Sequence, residues 1–245
     1  MDVILDVVNV EKRYGSKLAV DKVSFAAAKG ECLGIIGPNG AGKTTLFNLL
    51  NGSAKLDGGK VLLRGVDLTI LPQYRRARMG IGRAYQIPRP FFGLSVFENV
   101  LVATLHGSPE VRARGERRAL EVLETVGLGE KLNVLAAGLP LLDRKRLELA
   151  KAMSIGTDVL LLDEIAAGLT EPEVLELVEI VKVLKRDHAV LWIEHIAHAL
   201  AAAADRIMVL HFGAKLIEGK PAEVMETPVV QEVYLGISVD EPAGA

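Results

Sequence analysis

The chain lacks a second cysteine, a strong charge of either sign and any long apolar run, and each absence excludes something. With Cys32 as the single cysteine among 245 residues, no internal disulfide can form. Cys32 sits in "ECLGIIG", a buried-strand pattern, and reads as a packed thiol. A formal net charge of −2 gives no overall attraction to nucleic acid or to an anionic membrane. No apolar run reaches the roughly 18 residues that a membrane-crossing helix needs. The opening "MDVILDVVNVEKRYG" carries early acids and no basic-then-apolar signal pattern, so a cytoplasmic location is expected. Internal repeats and low-complexity tracts are missing, apart from an alanine-rich run at 199–204. What is abundant is apolar side chain, at 50% of residues. That is enough for a substantial core, with apolar surface left for a partner.

The pattern is α/β. "VILDVVNVEKRY" alternates and ends near a turn, which predicts an antiparallel edge strand. "CLGIIG", "VLLLDE" at 159–164 and "AVLWIEH" at 189–195 are apolar runs of the buried parallel-strand type. Between the last two, Val174, Leu177, Val178, Val181 and Leu184 fall at helical spacing, and Thr170 with Glu173 makes a capping-box pattern. Strand, helix, strand in that order predicts a βαβ unit and a parallel sheet. "RIMVLHFGAKLIEGK" predicts a hairpin turning at Gly213. Residues 87–158 are helix-rich, with "ERRALEVLETVGL" and "DRKRLELAKAM", and read as a helical subdomain inserted into a core of 1–86 and 159–236. The tail 237–245 is expected to be disordered.

The strongest motif is "GPNGAGKTT": Gly37, Pro38, Asn39, Gly40, Ala41, Gly42, Lys43, Thr44 and Thr45. It fits G-x-x-x-x-G-K-S/T between an apolar strand and a helical stretch. Glycines let successive N–H groups face phosphate oxygens, and the helix N-terminus adds its positive end. Lys43 can meet the β and γ phosphates, and the Thr44 hydroxyl can ligate Mg²⁺. Asp163, at the end of "VLLLDE", can hold Mg²⁺ directly or through water, and Glu164 is placed to polarise an attacking water.

Together these motifs resemble those of the ATP-binding cassette (ABC) ATPases, over about residues 3–236. The resemblance implies an ABC-type P-loop NTPase fold with a mixed-sheet core, an antiparallel β edge subdomain and an inserted helical subdomain. It implies ATP and Mg²⁺ as ligands. Tyr14, in "VEKRYGSKLAVDKVSF", matches the aromatic that stacks on adenine. Gln86, in "GIGRAYQIPRPFFGLSVFENV", matches the glutamine that touches metal and water and links to the membrane subunits. His195, in "LWIEHIAHAL", matches the histidine that bonds the γ-phosphate. His188 and His198 have no such match and read as solvated or packed. The glutamine stretch, "WIEH" and the ending "PVVQEVYLG" resemble the ATP-binding subunits of branched-chain amino acid importers; lipopolysaccharide-export ATPases share a similar ending.

One stretch departs from the family. In "AAGLPLLDRKRLELAKAM" the signature loop, normally a serine followed by glycines, begins at Leu139. Pro140 takes the serine position and has neither hydroxyl nor N–H. Leu141 and Leu142 take glycine positions, where side chains are expected to hinder close approach. Asp143 replaces the usual glutamine and is expected to start the following helix as its N-cap. Arg144, Lys145 and Arg146 either offset its charge or form a solvated face. Thr170, in "AAGLT", also departs from the acid or amide usual there.

The partners the resemblance implies are a second ATPase subunit (identical or different), two membrane permeases and, indirectly, a solute-binding protein; no nucleic acid is among them. The chain is then expected at the inner face of the membrane, held there by the permeases. Pro88, Pro90, Phe91 and Phe92 suit a socket for a permease helix, or the rings pack within the helical subdomain. Alternatives to an import motor are a low-turnover regulatory ABC protein and an export ATPase. An unrelated phosphate-loop kinase or GTPase is disfavoured by the ordered set above and by the lack of N-K-x-D.

Overall fold

The computed structural model describes residues 2–107 and 114–232. The predicted tail 237–245, and the end of "PVVQEVYLG" from 233, lie outside the described residues.

Two sheets form the frame. The first is antiparallel, made of β1 (Val3–Tyr14), β2 (Lys17–Ala28), β4 (Gly58–Leu63) and β5 (Val66–Asp67), in the order β2-β1-β4-β5. The prediction of β1 as an edge strand is therefore corrected. It pairs with β2 on one side and β4 on the other, and Val7 and Val10 are fully buried. Its alternation marks a sheet with one buried face, and that pattern is the same for inner and outer strands.

The second sheet holds β3 (Cys32–Ile36), β6 (Ile81–Ala84), β7 (Val159–Asp163), β8 (Ala189–Ile193), β9 (Arg206–His211) and β10 (Ala214–Gly219), in the order β10-β9-β3-β8-β7-β6. All are parallel to their neighbours except β10, which forms the predicted hairpin with β9. Phe212 and Gly213, both at positive φ (47° and 84°), make its two-residue turn. Alternate residues of the parallel strands enter two separate cores. Leu33, Ile35, Leu161, Leu191 and Ile193 face the antiparallel sheet and α1 (Lys43–Asn51). Cys32, Leu160, Leu162, Val190 and Trp192 face the other core.

That other core is closed by helices. Into it point α3 (Val96–Leu105), α4 (Gly115–Thr125), α5 (Leu141–Ser154) and α6 (Glu171–Leu184), which follow the shorter α2 (Gln73–Met79) in the chain. Helix α6 buries all five residues of its apolar stripe, and the Thr170 N–H donates to the Glu173 carboxylate at 2.8 Å, as the capping box requires. Among the described residues, 87–158 contain no strand longer than a single bridge, Ser95 to Leu135. Strands β3, β7 and β8 all end at one edge of the sheet, so the segments after them meet there. Ligands of open α/β sheets bind at such an edge.

Candidate functional site

The loop after β3 turns into α1 through glycines that no other residue can replace. A Cβ on Gly37 would meet the Leu210 carbonyl at 2.1 Å, and one on Gly42 the Ala19 carbonyl at 2.3 Å. Gly42 also sits at φ 102° and caps α1 without a side chain. The N–H groups of Lys43, Thr44 and Thr45 therefore open the helix with no intrahelical acceptor. Lys43 is buried and curls back, its Nζ donating to the carbonyls of Gly37 (2.6 Å) and Pro38 (3.1 Å). Burial lowers its pKa, and Glu164 and Asp163 oppose that shift. Two backbone oxygens thus stand where anionic oxygens would be better partners for an ammonium.

Tyr14, Lys17 and Ala19 join Asn39 to Thr45 and Glu164 around a cleft of about 250 Å³. Tyr14 is 51% exposed at the rim, with the Lys12 ammonium 5.4 Å from its ring centroid. The structure thus brings the predicted aromatic and the phosphate loop into one cleft, and adds Lys17.

Asp163 and Glu164 face different partners. Asp163 ends β7, is buried, and pairs with Arg83 of the neighbouring strand β6. Glu164 leaves the strand at φ 47°, a left-handed conformation that costs a non-glycine residue on the order of 1 kcal/mol and clusters at functional sites. Its N–H donates to the Ile193 carbonyl at 2.8 Å, which fixes the turn. Its two carboxylate oxygens are engaged separately. Gln86 Nε2 donates to Oε2 at 2.6 Å, and His195 Nε2 lies 3.0 Å from Oε1. Two residues that lie far apart in sequence thus converge on one carboxylate.

Thr44, Gln86 and Asp163 line a second, adjoining cleft of about 500 Å³ together with Arg83. A hydroxyl, an amide and a carboxylate are hard oxygen donors of the kind Mg²⁺ takes alongside substrate phosphates. No cluster of three or more His, Cys, Asp or Glu suited to a metal occurs among the described residues. That donor set fits a metal shared with phosphate.

The variant loop differs from its expectation in three ways. Pro140, extended at φ −64° and ψ 168°, is itself the N-cap, and α5 begins at Leu141. Asp143 is therefore not the N-cap but the third helical residue, buried and ion-paired with Lys131 and with Arg146 at 3.4 Å. A proline needs no acceptor for an N–H and presets the extended entry, so it displaces the aspartate from that role. Leu142 is buried, as is Leu139; only Leu141, 40% exposed, projects at the helix end, close to Gly168. The basic triplet offsets the Asp143 charge in part, as expected, and does not form a solvated face. Arg146 does pair with Asp143 and also with Glu176. Arg144 lies over the Phe92 ring at 5.8 Å. Lys145 is buried and donates to the Gln86 carbonyl, tying α5 to the glutamine segment. Thr170 is spent on the cap of α6.

Of the remaining predicted residues, Cys32 is fully buried, and burial pushes its thiol up to about 12. His188 is packed, its Nδ1–H donating to the Leu184 carbonyl at 2.7 Å, and His198 pairs with Glu171 at the surface. Phe91 and Phe92 are 53% and 52% exposed rather than packed away. Two residues were missed, Arg83 and Glu194, and Lys145 was read only as one of the basic triplet. Glu194 is buried beside Glu164 and Lys145, one of its oxygens has no hydrogen-bond donor, and burial raises its pKa to about 7. A charged residue inside an apolar run, as in "IGRA" and "LWIE", was the available signal.

A family model described as "ABC transporter" matches residues 20–167. The high-affinity branched-chain amino acid transport ATP-binding protein LivG of Escherichia coli (strain K12) is 39% identical, over 95% of this chain and 98% of that protein. BraF of Pseudomonas aeruginosa, of the same description, is 37% identical over 95% and 98%. The lipopolysaccharide export system ATP-binding protein LptB of Acidithiobacillus ferridurans is 36% identical over 96% and 98%. Among solved structures, the ADP conformation of an ATP-binding cassette of an ABC transporter superposes with a TM-score of 0.87 at 28% identity, over 97% of this chain and all of that one.

Proposed function

The chain belongs to the ABC transporter family, and on that premise we propose that it is the ATP-hydrolysing subunit of an importer for branched-chain amino acids or related small solutes. The near full-length likeness to LivG and BraF supports the solute class. The slightly lower identity of LptB keeps export as the second reading. The observation that carries hydrolysis is the Glu164 carboxylate, held by Gln86 and His195 at the wall of the phosphate-loop cleft.

In this reading the core of 1–86 and 159–236 binds the nucleotide, and 87–158 is the helical subdomain. Tyr14 stacks on adenine. The free N–H groups of Lys43, Thr44 and Thr45 hold phosphate oxygens, and Lys43 exchanges its two carbonyls for them, gaining charge-assisted bonds. Thr44, Asp163 and Gln86 hold Mg²⁺, which when bound supplies positive charge against the phosphates. Glu164 accepts the proton of the attacking water. Its strained backbone and two flanking donors keep that carboxylate in place, and His195 stands ready to shift its bond from Glu164 to the γ-phosphate.

One phosphate loop supplies half of a pair of sites, so a second ATPase subunit is expected, with two permeases. No helix among the described residues is long and apolar enough to cross a membrane, which fits attachment to the inner face through the permeases. Ile87, at the cleft, and the exposed Phe91 and Phe92 that follow it form the docking surface. Cysteines at positions 88–95 should crosslink to a permease loop; no crosslink at any of them in the assembled complex contradicts this surface. The function itself is tested in vesicles carrying the complex with its permeases and binding protein. Mg-ATP should drive uptake of labelled leucine, isoleucine or valine; ATP-dependent efflux without uptake would select the export reading.

A further inference from the structure

Arg83 is a buried cation with two anchors on opposite sides. Its side chain is 5% exposed. One guanidinium nitrogen pairs with Asp163 Oδ2 and the other donates to Asn48 Oδ1 at 2.7 Å. The guanidinium centre lies 4.7 Å from the Tyr85 ring centroid and 5.7 Å from that of Phe47. Its Nε is buried with no acceptor. Helix α1, strand β7 and two aromatic rings therefore fix it, at the cost of a buried unsatisfied donor. A buried ion pair is a poor source of stability, because desolvation offsets the attraction. An arginine held this firmly against one carboxylate points to a role for that carboxylate. Arg83 also lines the cleft of about 500 Å³ that contains Thr44, Gln86 and Asp163.

We propose that Arg83 is a positioning residue for the metal: it holds the Asp163 carboxylate in one orientation, and it repels a bare divalent cation, so that metal enters only with phosphates that offset the guanidinium charge. This rests on the reading of Asp163 as a metal-side carboxylate. The electrostatics run one way. A lone carboxylate attracts a dication, and a guanidinium bonded to the same carboxylate cancels most of that attraction at short range. Phosphate oxygens restore a negative balance when the nucleotide arrives. The protein thereby avoids holding metal in an empty site, where it would have to be reorganised before the nucleotide could bind.

The test counts free Mn²⁺ by electron paramagnetic resonance in solutions of the full chain, with and without a non-hydrolysable ATP analogue. Wild type should bind Mn²⁺ weakly alone, and at one site more tightly than the analogue does in free solution once the analogue is present. Arg83→Gln should tighten Mn²⁺ binding to the nucleotide-free protein by roughly tenfold or more, and adding Asp163→Asn should erase that gain. Arg83→Lys, which keeps the charge, should stay within about threefold of wild type. Asn48→Ala, which frees one anchor without removing a charge, should move the affinity in the same direction as Arg83→Gln but less. A folded Arg83→Gln protein with wild-type Mn²⁺ affinity, or equal shifts in the Gln and Lys variants, would overturn the proposal. If Arg83→Gln does not fold, an Asn48→Ala protein with unchanged Mn²⁺ affinity overturns it instead. Failure of the underlying metal reading looks different. Wild type with analogue would then hold Mn²⁺ no better than the analogue alone, and Arg83 would lose its proposed role with it.

Discussion

Two helices of this protein begin where the proposed function puts phosphate, and they begin differently. Helix α1 starts after glycines at φ 82° and 102°, with no side chain at its mouth, and Lys43 lies curled within reach. Helix α5 starts after Pro140, puts the exposed Leu141 at its end, turns Leu142 inward and ties Asp143 into ion pairs. Both ends carry backbone N–H groups without intrahelical acceptors. The first is concave and positively charged; the second is capped by an apolar edge. In related ATPases such ends are expected to close from opposite subunits over one ATP. In the proposed reading, the comparison teaches that this chain meets its own nucleotide with a full set of groups. What it offers across the interface is at most backbone N–H groups and the helix dipole.

The largest effect that sharpens this contrast is at the first end. Lys43→Ala should abolish ATP binding in calorimetry, because the buried ammonium has no replacement; wild-type affinity in that variant would break the assignment. At the second end, changing Pro140, Leu141 and Leu142 to Ser-Gly-Gly should speed the site completed by this loop. The gain should be up to roughly a hundredfold if a lost hydroxyl and backbone donors limit it. Steady-state turnover in the assembled complex, with the other site blocked, reads this directly. No gain would show that the free N–H groups of α5 already suffice and that the two ends differ in form alone.

The difference between the ends also sets how far the sequence could be read. The first end was fully legible, because glycines, lysine and threonine at fixed spacing encode a backbone shape that has few other uses. The parallel strands were legible for a similar reason: "VLLLDE" and "AVLWIEH" are buried on both faces, and two-sided burial writes a continuous apolar run. The second end was only half legible. That the loop was altered could be seen, but which side chain faced out could not. The sequestered Asp143 depends on Lys131 and Arg146, and one of these lies in a different turn of chain. Strand β1 was placed at an edge because its alternation reports one buried face and says nothing of how many neighbours it has. Arg83 and Glu194 went unnoticed, and Lys145 was read only as part of a basic run, because their partners come from other strands and helices, at separations no local pattern records.

A smaller effect probes the ground between the two ends. Glu194, buried beside Glu164, has its pKa raised from 4.5 to about 7. The folded protein therefore holds this proton more tightly than the unfolded chain does. Its contribution to stability is present below pH 4.5 and is lost as pH rises through about 7. Glu194→Gln keeps the shape and removes the ionisation. In thermal unfolding of the nucleotide-free protein it should gain about 3 kcal/mol at pH 8, with the difference shrinking toward zero near pH 4.5. A pH-independent difference would mean that packing, and not charge, governs the site. The smallest expected effect is at the surface. Phe92→Ala leaves Arg144 without its ring and should change stability by about 0.5–1 kcal/mol, while weakening permease association more than ATP binding.

The most direct measurement replaces the one carboxylate on which Gln86 and His195 converge. Glu164→Gln keeps the side-chain shape and one acceptor oxygen for its flanking donors but cannot accept a proton. In the assembled transporter it should bind Mg-ATP as wild type does while turnover at this chain's site falls roughly a hundredfold to ten-thousandfold. Unchanged turnover with intact binding would place the base elsewhere and contradict the reading of this cleft as the hydrolytic site.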